Sequence, residues 1–246
     1  NREWNITGAH MIAAMRAKDL DDLALWIAEQ GLTGLPDGDL LRGFAERCRA
    51  AGLPLARAIL VIDTLHPTWE GRAIRWHGPG GTETPLVDYG HSDSGEARES
   101  WQRSPFYALD QAQANELRRR LLPGDPPPDF PVLAEQRAAG ITDYLALVRR
   151  FGTGGSLGTM DTIYSSWSSD APSGFAESDL AVLRQLYPAL ALAVKCSALA
   201  RMSRSLAEVY LGRDPAQQVM AGRVRRGVPE RLNAVLWLSD LRGYTS

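Results

Sequence analysis

The spacing of apolar residues near the start of the chain predicts two helices. Apolar side chains recur every three or four residues between His10 and Glu29, the spacing of one helix face, and glycines and a proline follow at residues 31–36. A second helix is predicted over residues 39–51, where Gly52-Leu53-Pro54 closes it. The chain therefore begins with a helical segment.

Short apolar or alternating segments further along predict four strands. Residues 55–64 are rich in Leu, Ile and Val, and residues 71–77 alternate apolar with basic side chains, as an antiparallel partner would. Residues 143–151 and 156–166 predict a second pair. The glycines at 152–155 between them lack the lysine and hydroxyl of a phosphate-binding loop, so a hairpin turn is predicted there.

The region between the two strand pairs is predicted to be an irregular insert. Residues 78–100 are polar and turn-rich, with room for one short strand. Asp110–Leu122 is predicted to be a charged helix, stopped by the proline-rich segment 123–128, and Val132–Ala139 to form another helical turn before Gly140.

A long helix is predicted from Phe175 onward, with Ser173 as its N-cap and a kink at Pro188. Its apolar stripe advances by about 3.6 residues per step, the period of a nearly straight helix. The stripe consists of Leu180, Leu183, Tyr187, Leu190, Val194, Ala198, Met202, Leu206 and Val209. A small domain is too short to cover the whole stripe, so the C-terminal half of the helix is predicted to pack against a second copy, giving a homodimer.

Composition narrows the class of protein. The 246 residues are 44% hydrophobic with a formal net charge of −2, enough for a buried core and without the basic excess of a nucleic-acid-binding protein. No apolar run is long enough to span a bilayer and no secretory signal is visible, so a cytoplasmic location is expected. Cys48 and Cys196 form no metal-binding or disulfide pattern, and both are predicted to be buried apolar groups.

The order of these elements resembles that of a GAF domain, a small-molecule sensor module of signalling proteins. Gly174-Phe-Ala-Glu-Ser-Asp-Leu180 is similar to the G-F-[ST]-x-x-D-L segment at the start of the GAF exit helix, with Ala176 in place of the hydroxyl residue. The resemblance implies an α+β fold: a GAF-like antiparallel sheet with flanking helices and a long C-terminal signalling helix. It also implies a small-molecule effector bound between the sheet and its covering helices.

Aromatic walls and a few polar anchors are expected at such a site. The residues predicted to supply them are Trp76, His91, Trp101, Arg103, Phe106, Tyr107, Tyr144 and Tyr164.

The last fourteen residues, Asn233–Ser246, combine an apolar run with a carboxylate at its end and a glycine turn. A strand that ends in an aspartate, followed by free backbone N–H groups, suits a divalent cation and a polyphosphate. The pattern resembles the first catalytic strand of class III adenylate and guanylate cyclases, and the segments 210–213 and 222–227 resemble the connector before it.

This second resemblance implies roles for individual residues. Asp240 and the carbonyl of Leu241 would contact Mg²⁺ or Mn²⁺, and the turn Gly243-Tyr244-Thr245 would face the nucleotide phosphates, with Tyr244 in place of the commoner Phe. The second metal-binding aspartate and the other catalytic residues have no counterpart in these 246 residues. The chain alone is therefore expected to be inactive and metal-free.

The connector is predicted to be a short helix that begins with Asp214 as N-cap and Pro215 at the first helical position, and ends at Gly222. Four segments are thus predicted: a helical segment (1–52), a GAF-like sensor (53–200), the end of the signalling helix with the transducer (201–231), and a first cyclase strand (232–246).

Two alternatives to the regulatory region of a cyclase remain. The chain is a stand-alone ligand-binding or dimerisation module if the terminal pattern only mimics a cyclase. A GAF-fold reductase would need reactive cysteines in the pocket, and neither cysteine is predicted to lie there.

Overall fold

The computed structural model describes residues 19–63, 71–78, 87–89, 95–151, 162–223, 235 and 237–239. The chain divides into two compact units, Asn1–Ser205 and Leu206–Ser246. Seven helices and six strands lie in the described ranges. They are α1 (described over 19–33), α2 (Asp37–Ala50), β1 (Arg57–Asp63), β2 (Gly71–His77), β3 (Val87–Tyr89), α3 (Gly95–Gln102), α4 (Pro105–Gln111), β4 (Glu116–Arg120), α5 (Pro131–Ala138), β5 (Asp143–Arg150), β6 (Thr162–Ser169), α6 (Glu177–Leu211) and α7 (Arg213–Met220).

The six strands form one antiparallel sheet in the order β3-β2-β1-β6-β5-β4. The first unit therefore has the predicted α+β fold, with an antiparallel sheet, flanking helices and a long C-terminal helix. Because residues opposite each other in a register share a face, the pairing defines two faces of the sheet. We name them the helix face, which carries Leu60, Ser165 and Leu147, and the insert face, which carries Val61, Tyr164 and Val148.

Helices α1, α2 and α6 pack together beside the helix face. Phe44 of α2 meets Trp167 of β6 edge-on at 5.3 Å between ring centroids, and both side chains are fully buried. The hydroxyl of Tyr187 in α6 lies 2.8 Å from the carbonyl oxygen of Ile163 in β6. In α1, Gly31 is so close to α6 that an added Cβ would be 3.0 Å from the Ala193 Cβ.

A buried carboxylate joins the sheet to the start of α6. Asp143 of β5 is fully buried and accepts hydrogen bonds from the Arg118 guanidinium of β4, at 2.7 and 3.2 Å, and from the backbone N–H of Phe175 at 3.0 Å. Arg118 also donates to the Phe175 carbonyl at 2.8 Å and to Glu177 at 2.7 Å. We call Arg118, Asp143 and Phe175 the clamp, because together they hold the chain entering α6 against strands β4 and β5.

The predicted N-cap Ser173 is wrong, because α6 begins later, at Glu177. The Asp179 carboxylate accepts a hydrogen bond from the Ala176 N–H at 2.9 Å, and the Asp179 N–H donates to the Ala176 carbonyl. This is the carboxylate half of a capping box, in which the third helical residue reaches back to the N-cap backbone. A hydroxyl at position 176 is therefore dispensable for this contact.

The apolar stripe of α6 is covered by the chain itself over most of its length. Its residues from Leu180 to Met202 are at most 5% exposed. The prediction that the domain is too small to cover the stripe is therefore wrong for the part of the helix that ends at Met202. Later in the helix, Val209, Tyr210 and Leu211 are 58%, 82% and 49% exposed, which leaves that end available for the predicted dimer contact.

The buried carboxylate of Asp37 links α2 to α6. Its Oδ2 lies 2.6 Å from Nη2 of Arg201, close enough for an ion pair but not aligned as a hydrogen bond. A buried charge needs such a partner, since an isolated one pays the full desolvation cost. The pair fixes the first turn of α2 beside the second half of α6.

The predicted charged helix over Asp110–Leu122 is wrong. Helix α4 ends at Gln111, Gln113 adopts a φ of 49°, and Glu116–Arg120 forms the edge strand β4. Alternating charges suit an edge strand because one face can pair with carboxylates while the other packs on the core. Here Arg118 bonds Asp143, and Glu116 receives a bidentate hydrogen bond from Arg184 at 2.6 and 2.8 Å.

The second unit departs from two further expectations. Helix α7 begins at Arg213 with Gly212, at a φ of 81°, as its N-cap, so Asp214 lies in the first turn and is not the cap. Residues 235 and 237–239 are in no strand, and Val235, Trp237 and Leu238 are at least 86% exposed. The predicted strand does not form at these four residues, as a strand requires a neighbour to satisfy its backbone.

No helix within the described ranges is both long and apolar enough to cross a membrane.

Substitution of Gly174 by Ala should destabilise the clamp. Gly174 has a φ of 70°, and an added Cβ would lie 2.6 Å from Asp143 Oδ2, which Arg118 and the Phe175 N–H hold in place. Gly140→Ala is the matched control, since Gly140 has a φ of 84° with nothing within 4 Å of the added Cβ. Both variants pay about 1–2 kcal/mol for the left-handed backbone, and only Gly174→Ala adds about 1–3 kcal/mol of overlap. Urea unfolding of both variants measures the difference, and equal losses would contradict the clamp.

Candidate ligand-binding face

The insert face of the sheet presents two rows of side chains that run across the strands. One row is Arg119, Tyr144, Ser168, Arg57 and His77, in the order β4, β5, β6, β1 and β2. The adjacent row is Leu117, Ala146, Ser166, Ile59 and Arg75. The β5 end of the rows is thus aromatic and apolar, and the β2 end is basic.

Five of the predicted pocket residues come together on this face. Trp101 meets Tyr164 edge-on at 5.4 Å and Tyr107 at 6.4 Å, and Phe106 lies 5.4 Å from Tyr164. Tyr144 is 2% exposed in the same apolar cluster as Tyr164. Burial raises the pKa of Tyr144, whose hydroxyl hydrogen-bonds to Ser166. We call these five residues the aromatic wall.

Local sequence explains how the insert delivers this wall. The Ser104 hydroxyl caps α4 by accepting from the Tyr107 N–H at 3.1 Å, and Pro105 occupies the first turn. Helix α5 is held on the sheet by Gln136, whose side-chain oxygen accepts from the buried Ser168 hydroxyl at 2.6 Å. These two short helices cover β5 and β6 on the insert face.

The other three predicted pocket residues do not join the wall. Trp76 is opposite Ala58, and Ala58 is opposite Trp167, so Trp76 lies on the helix face. Arg103 is exposed just before α4. His91 lies outside the described residues.

Three basic residues that the sequence pattern did not predict for the site lie at the other end of the same rows. Arg57, Arg75 and His77, which we call the cationic cluster, lie on the insert face of β1 and β2 and are half-buried. His77 Nδ1 is shielded from solvent and has no hydrogen-bond partner. Burial, Arg57 and Arg75 together lower the pKa of His77 below 6.5. One signal for this cluster was present in the sequence: Arg75 and His77 are two residues apart in β2, so they share a face. Arg57 is the first residue of the neighbouring strand β1.

Four arginines near the sheet are paired with carboxylates, whereas Arg120 and Arg149 have no such partner among the described residues and are exposed. The pairs are Arg118 with Asp143, Arg119 with Asp129, Arg150 with Asp110 and Arg184 with Glu116. Within the described ranges, Arg57 and Arg75 have neither an ion pair nor a side-chain hydrogen bond. The insert face therefore combines an aromatic wall with positive charge that the described residues leave uncompensated.

Neither a metal site nor a reactive thiol is found beside this face in the described part of the chain. No group of three or more metal-ligating side chains occurs there, and Asp240, Leu241, Gly243, Tyr244 and Thr245 lie outside the described residues. Cys48 is buried in α2, where desolvation raises the pKa of its thiol to about 12. Cys196 is exposed on α6, which corrects the prediction that both cysteines are buried.

Comparison with known proteins gives structural matches alone. No protein-family profile matches the chain, and no curated protein matches it. The phycoerythrobilin-bound GAF domain from a cyanobacterial phytochrome aligns with a TM-score of 0.47 and 12% identity, over 74% of this chain and 97% of that chain. The phycocyanobilin-bound GAF domain from a cyanobacterial phytochrome aligns with a TM-score of 0.39 and 14% identity, over 78% and 97% of the two chains.

The two thiols should differ sharply in reactivity. Because the thiolate is the reactive form, iodoacetamide at pH 8 should alkylate exposed Cys196 and leave buried Cys48 intact in the folded chain. Peptide mass spectrometry measures the two sites separately, and alkylation in urea is the control in which both react. Alkylation of Cys48 at the rate of Cys196 without denaturant would contradict the packing of α2.

Proposed function

We propose that the chain is a regulatory module that binds a small molecule on the insert face and transmits its presence through α6. The observation that carries the proposal is that one face of the sheet holds both the aromatic wall and the half-buried cationic cluster. Ligand sites combine apolar walls with a few polar groups that fix orientation. The bilin-bound GAF domains, the resemblance of the 174–180 segment and the order of elements support the same class of module.

The clamp offers a route from the site to the helix. Tyr144 of the wall is the next residue after Asp143, and alternation in the strand places them on opposite faces of β5. Asp143 holds the Phe175 N–H, and Glu177, the first residue of α6, pairs with Arg118. Suppose that β5 has two positions and that the ligand binds the protein more tightly in one of them. Binding would then shift β5 and, through the clamp, the start of α6.

We further propose that the regulated enzyme is a class III adenylate cyclase that converts ATP to cyclic AMP and diphosphate. This finer proposal depends on the resemblance of residues 233–246, in which Asp240 and Leu241 would bind Mg²⁺ or Mn²⁺, and of the connector that includes α7. The module would act as a homodimer through the exposed end of α6, where Val209, Tyr210 and Leu211 are exposed. The alternative is a ligand-binding module that regulates no cyclase.

Filling the insert face should block binding. Ile59 is half-buried between Arg75 and Ser166, so Ile59→Trp occupies the space between the cationic cluster and β6, whereas Ile59→Val leaves it open. In a protein-free small-molecule extract of the source cells, the melting temperature of the native chain and Ile59→Val should rise, and that of Ile59→Trp should not. Ligand at about 100 times its dissociation constant contributes about 2.7 kcal/mol. Equal shifts in all three, with unchanged circular dichroism, would place binding elsewhere.

The cyclase assignment is tested by the complete protein that contains this chain. With MgATP or MnATP it should form cyclic AMP, and Asp240→Ala should lower the rate by about 100-fold or more, since a metal that stabilises both reacting oxygens loses a ligand. Asp129→Ala, which removes an exposed ion pair with Arg119, is the control and should keep the native rate. Absence of cyclic nucleotide formation, or full activity of Asp240→Ala, favours the stand-alone module.

A further inference from the structure

We propose that the cationic cluster of Arg57, Arg75 and His77 binds an oxyanion, the carboxylate or phosphate group of the ligand that the insert face accepts. The inference deepens the proposed function and rests on it, because it assigns one chemical group of that ligand to one part of the face. The evidence is the placement of three basic side chains on adjoining strands, their burial and their lack of partners.

The register brings the three side chains together. Arg57 and His77 are directly opposite in the β1–β2 pair, so their Cβ atoms are about 4.5–5.5 Å apart. Arg75 precedes His77 by two residues on the same face and is diagonal to Arg57, at about 7–8 Å. Long arginine side chains span that distance, so one small anion can contact all three groups.

The cluster is costly without an anion. Arg57 and Arg75 are diagonal neighbours of like charge, and half-burial weakens the screening by water of the repulsion between them. The chain supplies a carboxylate to Arg118, Arg119, Arg150 and Arg184, yet no described residue supplies one to Arg57 or Arg75. The two arginines on this face are therefore available to bind an anion.

The chemistry of the side chains fits an oxyanion. The planar guanidinium group donates two parallel hydrogen bonds to a carboxylate or phosphate, and these charge-assisted bonds are stronger than neutral ones. The adjacent Ser166 and Ser168 are engaged with Tyr144 and Gln136, so the arginines provide the donors that remain. The aromatic wall, which joins the first row at Tyr144, would contact the apolar part of the ligand.

The pKa of His77 should change when an anion binds to the cluster. Arg57 from β1 and Arg75 from its own strand both lower its pKa, in addition to burial. Ser168 of β6, which is opposite Arg57 and one strand further from His77, is neutral. Arg49 of α2 lies near the end of β2, where its Nη1 would be 3.7 Å from a Cβ added at Gly78. A bound anion offsets the two arginines, so binding should raise the pKa of His77 and should tighten as the pH falls through that pKa.

Proton NMR of the full chain tests the site. The imidazole signal of His77 is assigned by its loss in His77→Gln, and its pKa is measured with added inorganic phosphate or succinate against sodium chloride of equal ionic strength. We expect a saturable rise of the His77 pKa with one or both anions. A response to phosphate alone assigns a phosphate group, and a response to succinate alone assigns a carboxylate.

Charge-removing variants separate a site from a general salt effect. Arg57→Gln and Arg75→Gln should each raise the pKa of His77 in the absence of anion and weaken anion binding by about tenfold. Arg103→Gln, at an exposed arginine of the insert, should change neither. A response that is linear in anion concentration and equal in all variants would overturn the proposal.

The outcome is distinguishable from that of the proposed function. If Ile59→Trp abolishes stabilisation by the cell extract while neither anion binds the cluster, the module binds a ligand but the oxyanion assignment is wrong. If the anions bind as predicted and Ile59→Trp has no effect on the extract, the cluster is an anion site and the proposed location of the ligand is wrong.

Discussion

The buried carboxylate of Asp143 is the interaction on which the arrangement of the first unit depends. It accepts hydrogen bonds from the guanidinium of Arg118 and from the N–H of Phe175. It also lies so close to position 174 that only a glycine fits there. Removing one partner of such a buried pair costs about 3–5 kcal/mol, because a charge is then left without compensation. The edge strand β4, its neighbour β5 and the start of α6 are therefore fixed by a single group.

The sheet uses its two faces differently. The helix face is covered by α1, α2 and α6, and the stripe of α6 that faces the sheet is buried from Leu180 to Met202. The insert face is covered by short helices over β5 and β6, and β1 and β2 are left half-buried there. The proposed ligand site thus joins the half-buried strands β1 and β2 to the aromatic wall, part of which the insert helices α3 and α4 supply.

Several sequence predictions succeeded because the deciding interactions are local. The strand pairs, α2, α5 and the long exit helix follow from periodicity and from glycine and proline positions. The five residues of the aromatic wall do cluster, and their predicted role in binding a ligand stays a prediction. The failures came from contacts distant in sequence. Residues 116–120 carry the composition of a helix, yet Arg118 and Glu116 find partners 25 and 68 residues away that hold them in a strand. Trp76 was predicted to line the pocket, but the strand register places it on the helix face. That register cannot be read from the sequence.

The sequence by itself determined the fold class, the segment that starts the exit helix and the aromatic residues of the insert, since hydrophobic period and turn chemistry act within a few residues. Only the tertiary structure decided which side chains share a face. It moved Trp76 away from the wall, covered the stripe of α6 as far as Met202, and brought Arg57, Arg75 and His77 together. The physical reason is that strand register and burial are set by the packing of whole layers, in which residues far apart in the chain compete for the same neighbours.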